Sequence, residues 1–188
     1  MFNFDAEKIL NDIKFLSAFV INFLKNPIQG MKAAPNLDWG QVLLLQGGLS
    51  LLSGVLAGLV TGNFLFVVWG FFIFPPLALI VSFLVSLSLH YLILFFFQKE
   101  FEIRQTFVLL VLANIPFLVL RILSRLFNTV DLVGFIIVGF LLVVGIVENY
   151  HLEKRKVIKL VFYFVLFVCV SWLAQYGYSL KEDWSRVS

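Results

Sequence analysis

The sequence predicts an all-α fold: a polytopic membrane helical bundle with five transmembrane helices and an N-terminal amphipathic interfacial helix. Three observations lead there. Hydrophobic residues make up 61% of the 188-residue chain and charged residues only 13%, against about 25% charge in a soluble domain. Five runs approach the ~20 apolar residues that cross ~30 Å of hydrocarbon as a helix. The runs are aliphatic and Phe-rich, without the strict alternation of a barrel. A mean hydropathy of +1.00 is too much apolar surface for a core of this size, so lipid is the solvent.

The first element is the amphipathic helix. Ile9, Ile13, Leu16, Val20 and Phe23 recur at spacings of four and three, while Asp5, Glu7, Lys8, Asp12 and Lys14 fall mainly elsewhere. Such a helix beside a membrane bundle lies in the interface plane. It stops near Asn26-Pro27. A linker to about residue 40 follows, with Asp38 placed to cap the first span.

The five spans are roughly Gln41–Val60, Pro76–Phe97, Gln105–Phe127, Leu132–Val147 and Val157–Tyr176, with a short tail over 177–188. The apolar stretch Phe64–Phe74 is set apart by Pro75-Pro76, since consecutive prolines remove donors and disfavour helix before them. It reads as an interfacial or re-entrant piece; the alternative is one long kinked helix from Phe64 to Phe97.

Orientation follows from the basic residues. Ten of them (Lys8, Lys14, Lys25, Lys32, Lys99, Arg104, Lys154, Arg155, Lys156 and Lys159) fall on one side of a five-span chain. Arg121, Arg125, Lys181 and Arg186 fall on the other. The N-terminus is therefore expected in the cytoplasm and the C-terminus outside, with Tyr176, Tyr178 and Trp184 in an outer aromatic belt. No signal-peptide core or lipidation motif is present in the first residues, and the single Cys169 allows no internal disulfide.

Polar residues inside the spans are the candidate working parts. Ser82, Ser86 and His90 form a four-residue ladder on the second span, and Asn114 in the third is placed at a similar depth, so a His90–Asn114 contact is expected. The ladder serves either as helix–helix glue or as a proton or solute track. Arg121 and Arg125 lie about 24 and 30 Å along the third span. They read as interfacial anchors or as an anion or headgroup site, with Asp131 as a nearby partner. Pro116 weakens the bond to the Leu112 carbonyl and kinks the third span. Ser50, Gly54 and Gly58 make a small-residue stripe for close helix packing, within the chain or with a second copy. Lys154, Arg155, Lys156 and Lys159 can hold anionic lipid headgroups.

"ENYH" at Glu148–His151 has Glu-x-x-His spacing, but a di-metal carboxylate site needs a second copy and further glutamates. No phosphate loop, dinucleotide fingerprint, zinc motif or nucleophile elbow is visible. Neither a catalytic residue nor a metal or cofactor is expected, and no nucleic-acid partner is implied.

Three stretches carry a family resemblance. They are "FLKNPIQGMKAAP" (Phe23–Pro35), "FEIRQTFVLLVLANIPFLV" (Phe101–Val119) and "VVGIVENYHLEKRKVIKLVF" (Val143–Phe162). They resemble the pre-membrane Asn-Pro segment, the third span with its central proline, and the basic turn into the fifth span of the Yip family. These are Ypt/Rab-interacting integral membrane proteins, and the likeness is to their small prokaryotic form. The resemblance implies a five-helix domain in a bacterial or archaeal cytoplasmic membrane. The stripe of Ile9, Ile13, Leu16, Val20 and Phe23 and the absence of a catalytic motif point to a non-enzymatic scaffold in membrane organisation or trafficking that binds itself or another membrane protein. Eukaryotic relatives engage Rab GTPases through a longer N-terminal region; about forty residues precede the first span here, which argues against a GTPase partner. The alternative function is a channel, transporter or lipid-moving protein using the track around His90 and Asn114.

Overall fold

The computed structural model describes residues 6–124 and 130–187, with side chains described at 7–123, 130–171 and 173. In chain order the helices are α1 Ala6–Lys25, α2 Pro27–Lys32, α3 Trp39–Val60, α4 Phe64–Phe72, α5 Phe74–Phe97, α6 Ile103–Ser124, α7 Val130–Tyr150 and α8 Lys154–Val187. The described residues contain no strand. Four helices, α3, α5, α6 and α7, are long and apolar enough to cross a membrane, which is the make-up of a multi-pass membrane protein.

Local sequence sets most boundaries. The Asp38 carboxylate accepts from the Gln41 backbone N–H at 2.8 Å, and the Gln41 side chain accepts from the Asp38 N–H at 3.2 Å. This reciprocal capping box starts α3. Asn26 caps α2, with Pro27 in its first turn; the sequence reading treats this segment as linker, and the cap plus proline is the signal for the extra helix. Asn63 caps α4, whose nine residues reach only about 13 Å and cannot span a bilayer. Pro75 and Pro76 fall in the first turn of α5, where their missing donors cost nothing. The stretch from Phe64 to Phe97 is therefore two helices broken at Ile73, not one. α7 has 21 residues, longer than the run Leu132–Val147. α8 has 34 and continues past Tyr176, through the residues expected as a tail.

α6 is the central helix. Every residue from Phe107 to Ala113 is buried, and α6 packs against α3, α5 and α7. Gln46 meets Ser82, and Gly54 meets Phe74, so α3 and α5 run antiparallel. Phe117 lies on Gly134 and Leu109 on Gly145, which makes α6 and α7 antiparallel as well. α3 and α6 thus begin at the end of the bundle where α5 and α7 finish and α8 starts. This end also carries Lys32, Arg104 and Lys154 and is the basic end of the bundle. α1 and α2 lie against it, with Leu16, Phe23, Met31 and Leu37 buried in the common core.

The polarity is that of a protein dissolved in hydrocarbon. Phe95, Phe167 and Ile136 are exposed, whereas Gln46, Ser50, Ser53, Ser82, Ser86 and Thr106 are buried. A water-soluble domain reverses this arrangement.

Candidate functional site

The polar interior begins at the α3–α5 contact. Gln46 is 2% exposed. Its Nε2 donates to Ser82 Oγ at 2.9 Å, while its Oε1 has no hydrogen-bond partner. The Oγ atoms of Ser50 and Ser86, one turn beyond on each helix, are also buried without a partner. Farther along α3, Ser53 donates to the Leu118 carbonyl of α6 at 2.7 Å. Between helices in lipid, such bonds are worth about 0.6 kcal/mol on average and up to about 2.

Gln46 and Ser82 also line a cavity of about 390 Å³, walled mainly by apolar side chains of α5, α6, α7 and α8. Its other polar lining residues are Asn114 and Arg121. The Arg121 guanidinium lies over the Phe74 ring, 4.1 Å from its centroid, a contact worth about 0.5–2 kcal/mol depending on desolvation. Beside this cavity, a groove of about 620 Å³ runs between α5 and α8. Val85, Phe164 and Val168 line both spaces. The two therefore adjoin.

His90 is not part of this cavity. Its Nδ1 is 3.3 Å from Thr106 Oγ1, and Thr106 Oγ1 is 2.9 Å from the Tyr150 hydroxyl. Tyr150 stacks on Phe101 with centroids 4.1 Å apart. The expected His90–Asn114 contact is thus replaced by His90–Thr106. The reason is helix direction: α5 approaches the basic end at His90 while α6 is leaving it. Asn114 lies eight residues beyond Thr106, about 12 Å farther along the axis. The four-residue track accordingly splits. Ser82 and Asn114 line the cavity, Ser86 is buried outside its lining, and His90 joins a separate cluster.

Arg125 lies outside the described residues, so Arg121 stands for the arginine pair. Tyr176, Tyr178 and Trp184 fall outside the described side chains. Asp131 sits in the first turn of α7 with Oδ1 buried and unpartnered.

At the basic end, Lys154, Arg155, Lys156 and Lys159 are all exposed, and Lys156 pairs with Glu153 at 3.0 Å. Glu148 faces Lys32 at 3.9 Å, while His151 adopts a left-handed φ of 50° just after α7. The Glu-x-x-His spacing is therefore divided between an ion pair and a helix terminus. Arg104 grips both Glu102 oxygens, Nε to Oε1 at 2.8 Å and Nη2 to Oε2 at 3.1 Å, and donates Nη1 to the Leu37 carbonyl at 2.7 Å. The hydrogen bond from Arg104 holds the Glu102 carboxyl below its ordinary pKa. Asn149 donates to the Met31 carbonyl at 2.9 Å, tying α7 to α2.

The small-residue stripe meets α4 of the same chain. A Cβ on Gly54 would sit 2.7 Å from the Gly70 carbonyl oxygen, and one on Gly58 would sit 2.6 Å from the Val67 nitrogen. Ser50, one turn before Gly54, is fully buried. Gly70 is the complementary half of this contact and was not singled out by the sequence reading. Gln46, Ser53, Arg104, Thr106, Asn149 and Tyr150 were missed too. Only Gln46, an amide inside an apolar run, carried a visible signal. Comparison with protein-family models, curated proteins and solved structures yields no match.

Proposed function

We propose that this multi-pass membrane protein is a non-enzymatic lipid-binding or lipid-moving protein that admits a lipid sideways into the cavity on α6. The observation that carries this reading is the shared wall of Val85, Phe164 and Val168 between the cavity and the α5–α8 groove. Ligand pockets generally measure about 300–1,000 Å³, largely apolar with a few convergent polar groups; the cavity has both properties. In this reading α8 is a fifth crossing, supported by its 34 residues and its packing on α7. The basic end faces the cytoplasm of a bacterial or archaeal cell by the positive-inside rule.

The test is native mass spectrometry of protein released from nanodiscs of native-like lipid. A retained lipid that is lost on filling the cavity with Ala78→Trp supports the reading. Release of bare protein, together with no lipid transfer between liposome leaflets, overturns it.

A second reading is a membrane-organising scaffold, and α1 favours it. Leu10, Ile13, Ile21 and Leu24 leave an apolar row 42–57% exposed on that helix, suited to the headgroup boundary. Because Leu16 and Phe23 are core residues, the informative change is outward. Leu10→Glu with Ile21→Glu should abolish any effect on vesicle shape while leaving the fold intact. An unchanged effect would remove this reading.

A further inference from the structure

We infer that the groove and the cavity together hold one long-chain lipid phosphate, of the polyprenyl phosphate class. Its phosphate lies at the basic end beside Lys159 and Tyr163, and its single chain runs along the α5–α8 groove into the cavity. This rests on the lipid-binding reading above and names the class of lipid.

Length is the first argument. Along α5 the groove is lined from Phe96 to Leu84 and the cavity from Val85 to Phe74. The interval from Phe74 to Phe96 is about 33 Å on a helix, close to the whole ~30 Å hydrocarbon core. One leaflet supplies about half of that thickness, so an ordinary acyl chain fills the groove and leaves the cavity empty. A chain that fills both is longer than the bilayer's own. The two spaces share a wall of Val85, Phe164 and Val168, and no Asp or Glu lines either among the described residues. Such a path suits one apolar chain.

Charge sets the direction. Tyr163 lines the groove and is 66% exposed. The other polar lining residue, Ser88, donates its hydroxyl to the Leu84 carbonyl at 2.9 Å. Aromatic side chains in helices lean toward the helix N-terminus, which for α8 is the basic end. Lys159 stands one turn before Tyr163, and Lys156 one turn before Leu160, also in the groove wall. Both lysines are exposed. Lys156 shares its charge with Glu153 in a surface pair of small worth, while Lys159 has no ion-pair partner among the described residues. An ammonium and a hydroxyl at the mouth of an apolar groove recruit a phosphate. Arg121, at the far end, lies over Phe74 and has a further contact within the protein. It is already committed, which leaves the headgroup to the lysines.

The experiment is competitive retention by native mass spectrometry, using the full chain and four probes. These are undecaprenyl phosphate, the short farnesyl phosphate, undecaprenol lacking the phosphate, and a diacyl phosphatidylglycerol. The wild type should retain undecaprenyl phosphate over undecaprenol by about ten-fold or more, the effect of one charge-assisted contact. Lys159→Gln combined with Tyr163→Phe should erase that preference, and Lys159→Arg alone should keep it, which separates lost charge from lost fold. Undecaprenyl phosphate should also be retained over farnesyl phosphate. Ala78→Trp, which fills the cavity, should bring the long phosphate down to the level of the short one and leave the short one unchanged. Equal retention of undecaprenyl phosphate and undecaprenol, equal retention of the long and short phosphates, or preference for the diacyl lipid overturns this assignment and leaves the lipid-binding reading standing. Retention of no probe, or undecaprenyl phosphate retention untouched by Ala78→Trp, overturns both.

Discussion

Gln46 and Ser82 meet across α3 and α5 through a 2.9 Å hydrogen bond, and the same amide leaves its Oε1 unpaired in the interior. One residue therefore both joins two helices and keeps an unfilled acceptor buried in the interior. The two roles predict opposite costs for the two sides of the bond. Ser82→Ala removes Gln46's only side-chain partner here and leaves the whole amide buried and unsatisfied, which costs about 1–3 kcal/mol. Gln46→Leu removes the amide with its unpaired oxygen and should stay within about 1 kcal/mol of wild type, the lost helix–helix bond being of that size. Unfolding in mixed micelles should rank Ser82→Ala as the more damaging; the reverse order would mean that water or lipid already satisfies the amide.

The α3–α4 hairpin depends on two glycines lying back to back. A Cβ on Gly70 would collide with the Gly54 carbonyl, and one on Gly54 would sit 2.7 Å from the Gly70 oxygen. The obstacle in both cases is backbone, which cannot rotate away. Gly54→Ala and Gly70→Ala should each cost about 1–3 kcal/mol and expose the α4 loop to protease. Gly48→Ala is the control: nothing lies within 4 Å of its Cβ position, so it should be neutral or stabilising by up to about 1 kcal/mol.

Tyr150 combines a ring and a hydroxyl in one buried position. Tyr150→Phe keeps the stack on Phe101 and loses the Thr106 bond, for about 1 kcal/mol. Tyr150→Ala loses the packing as well and should cost about 3–5 kcal/mol. Equal losses from both variants would show that the hydroxyl carries the contribution.

The Glu102–Arg104–Leu37 link predicts an acid limit. The hydrogen bond from Arg104 lowers the folded pKa of Glu102, so the unfolded chain binds more protons between the two values. The link's contribution is complete above the ordinary glutamate value of about 4.3 and disappears as pH falls through the lowered one. Protection factors at Leu37 and Asp38, taken relative to the intrinsic exchange rate at each pH, should fall in that acid window, and Glu102→Gln should remove this pH dependence. Protection that is flat with pH in the wild type would contradict the assignment.

What the sequence revealed was local and periodic. The Asp38 cap and the apolar runs behind α3, α5, α6 and α7 were readable because each depends on neighbours within a few residues. α2 escaped notice because six residues with a glycine carry little periodicity, although Asn26-Pro27 marked its start. The interior polar groups were harder to pair. His90 and Asn114 were matched by depth along separate helices, and only the packed bundle reveals that Thr106 is the residue opposite His90. The cavity could not be read at all, since it exists where α5 and α8 do not close on one another.

The central claim is that this space holds lipid, and the most direct test is a cryo-EM structure in nanodiscs with a rigid fiducial bound to the chain. The account predicts elongated density entering between Val85 and Phe164 and ending beside Arg121. Side chains of α8 packed directly onto α5, with the cavity closed and Gln46 satisfied by protein alone, would contradict it.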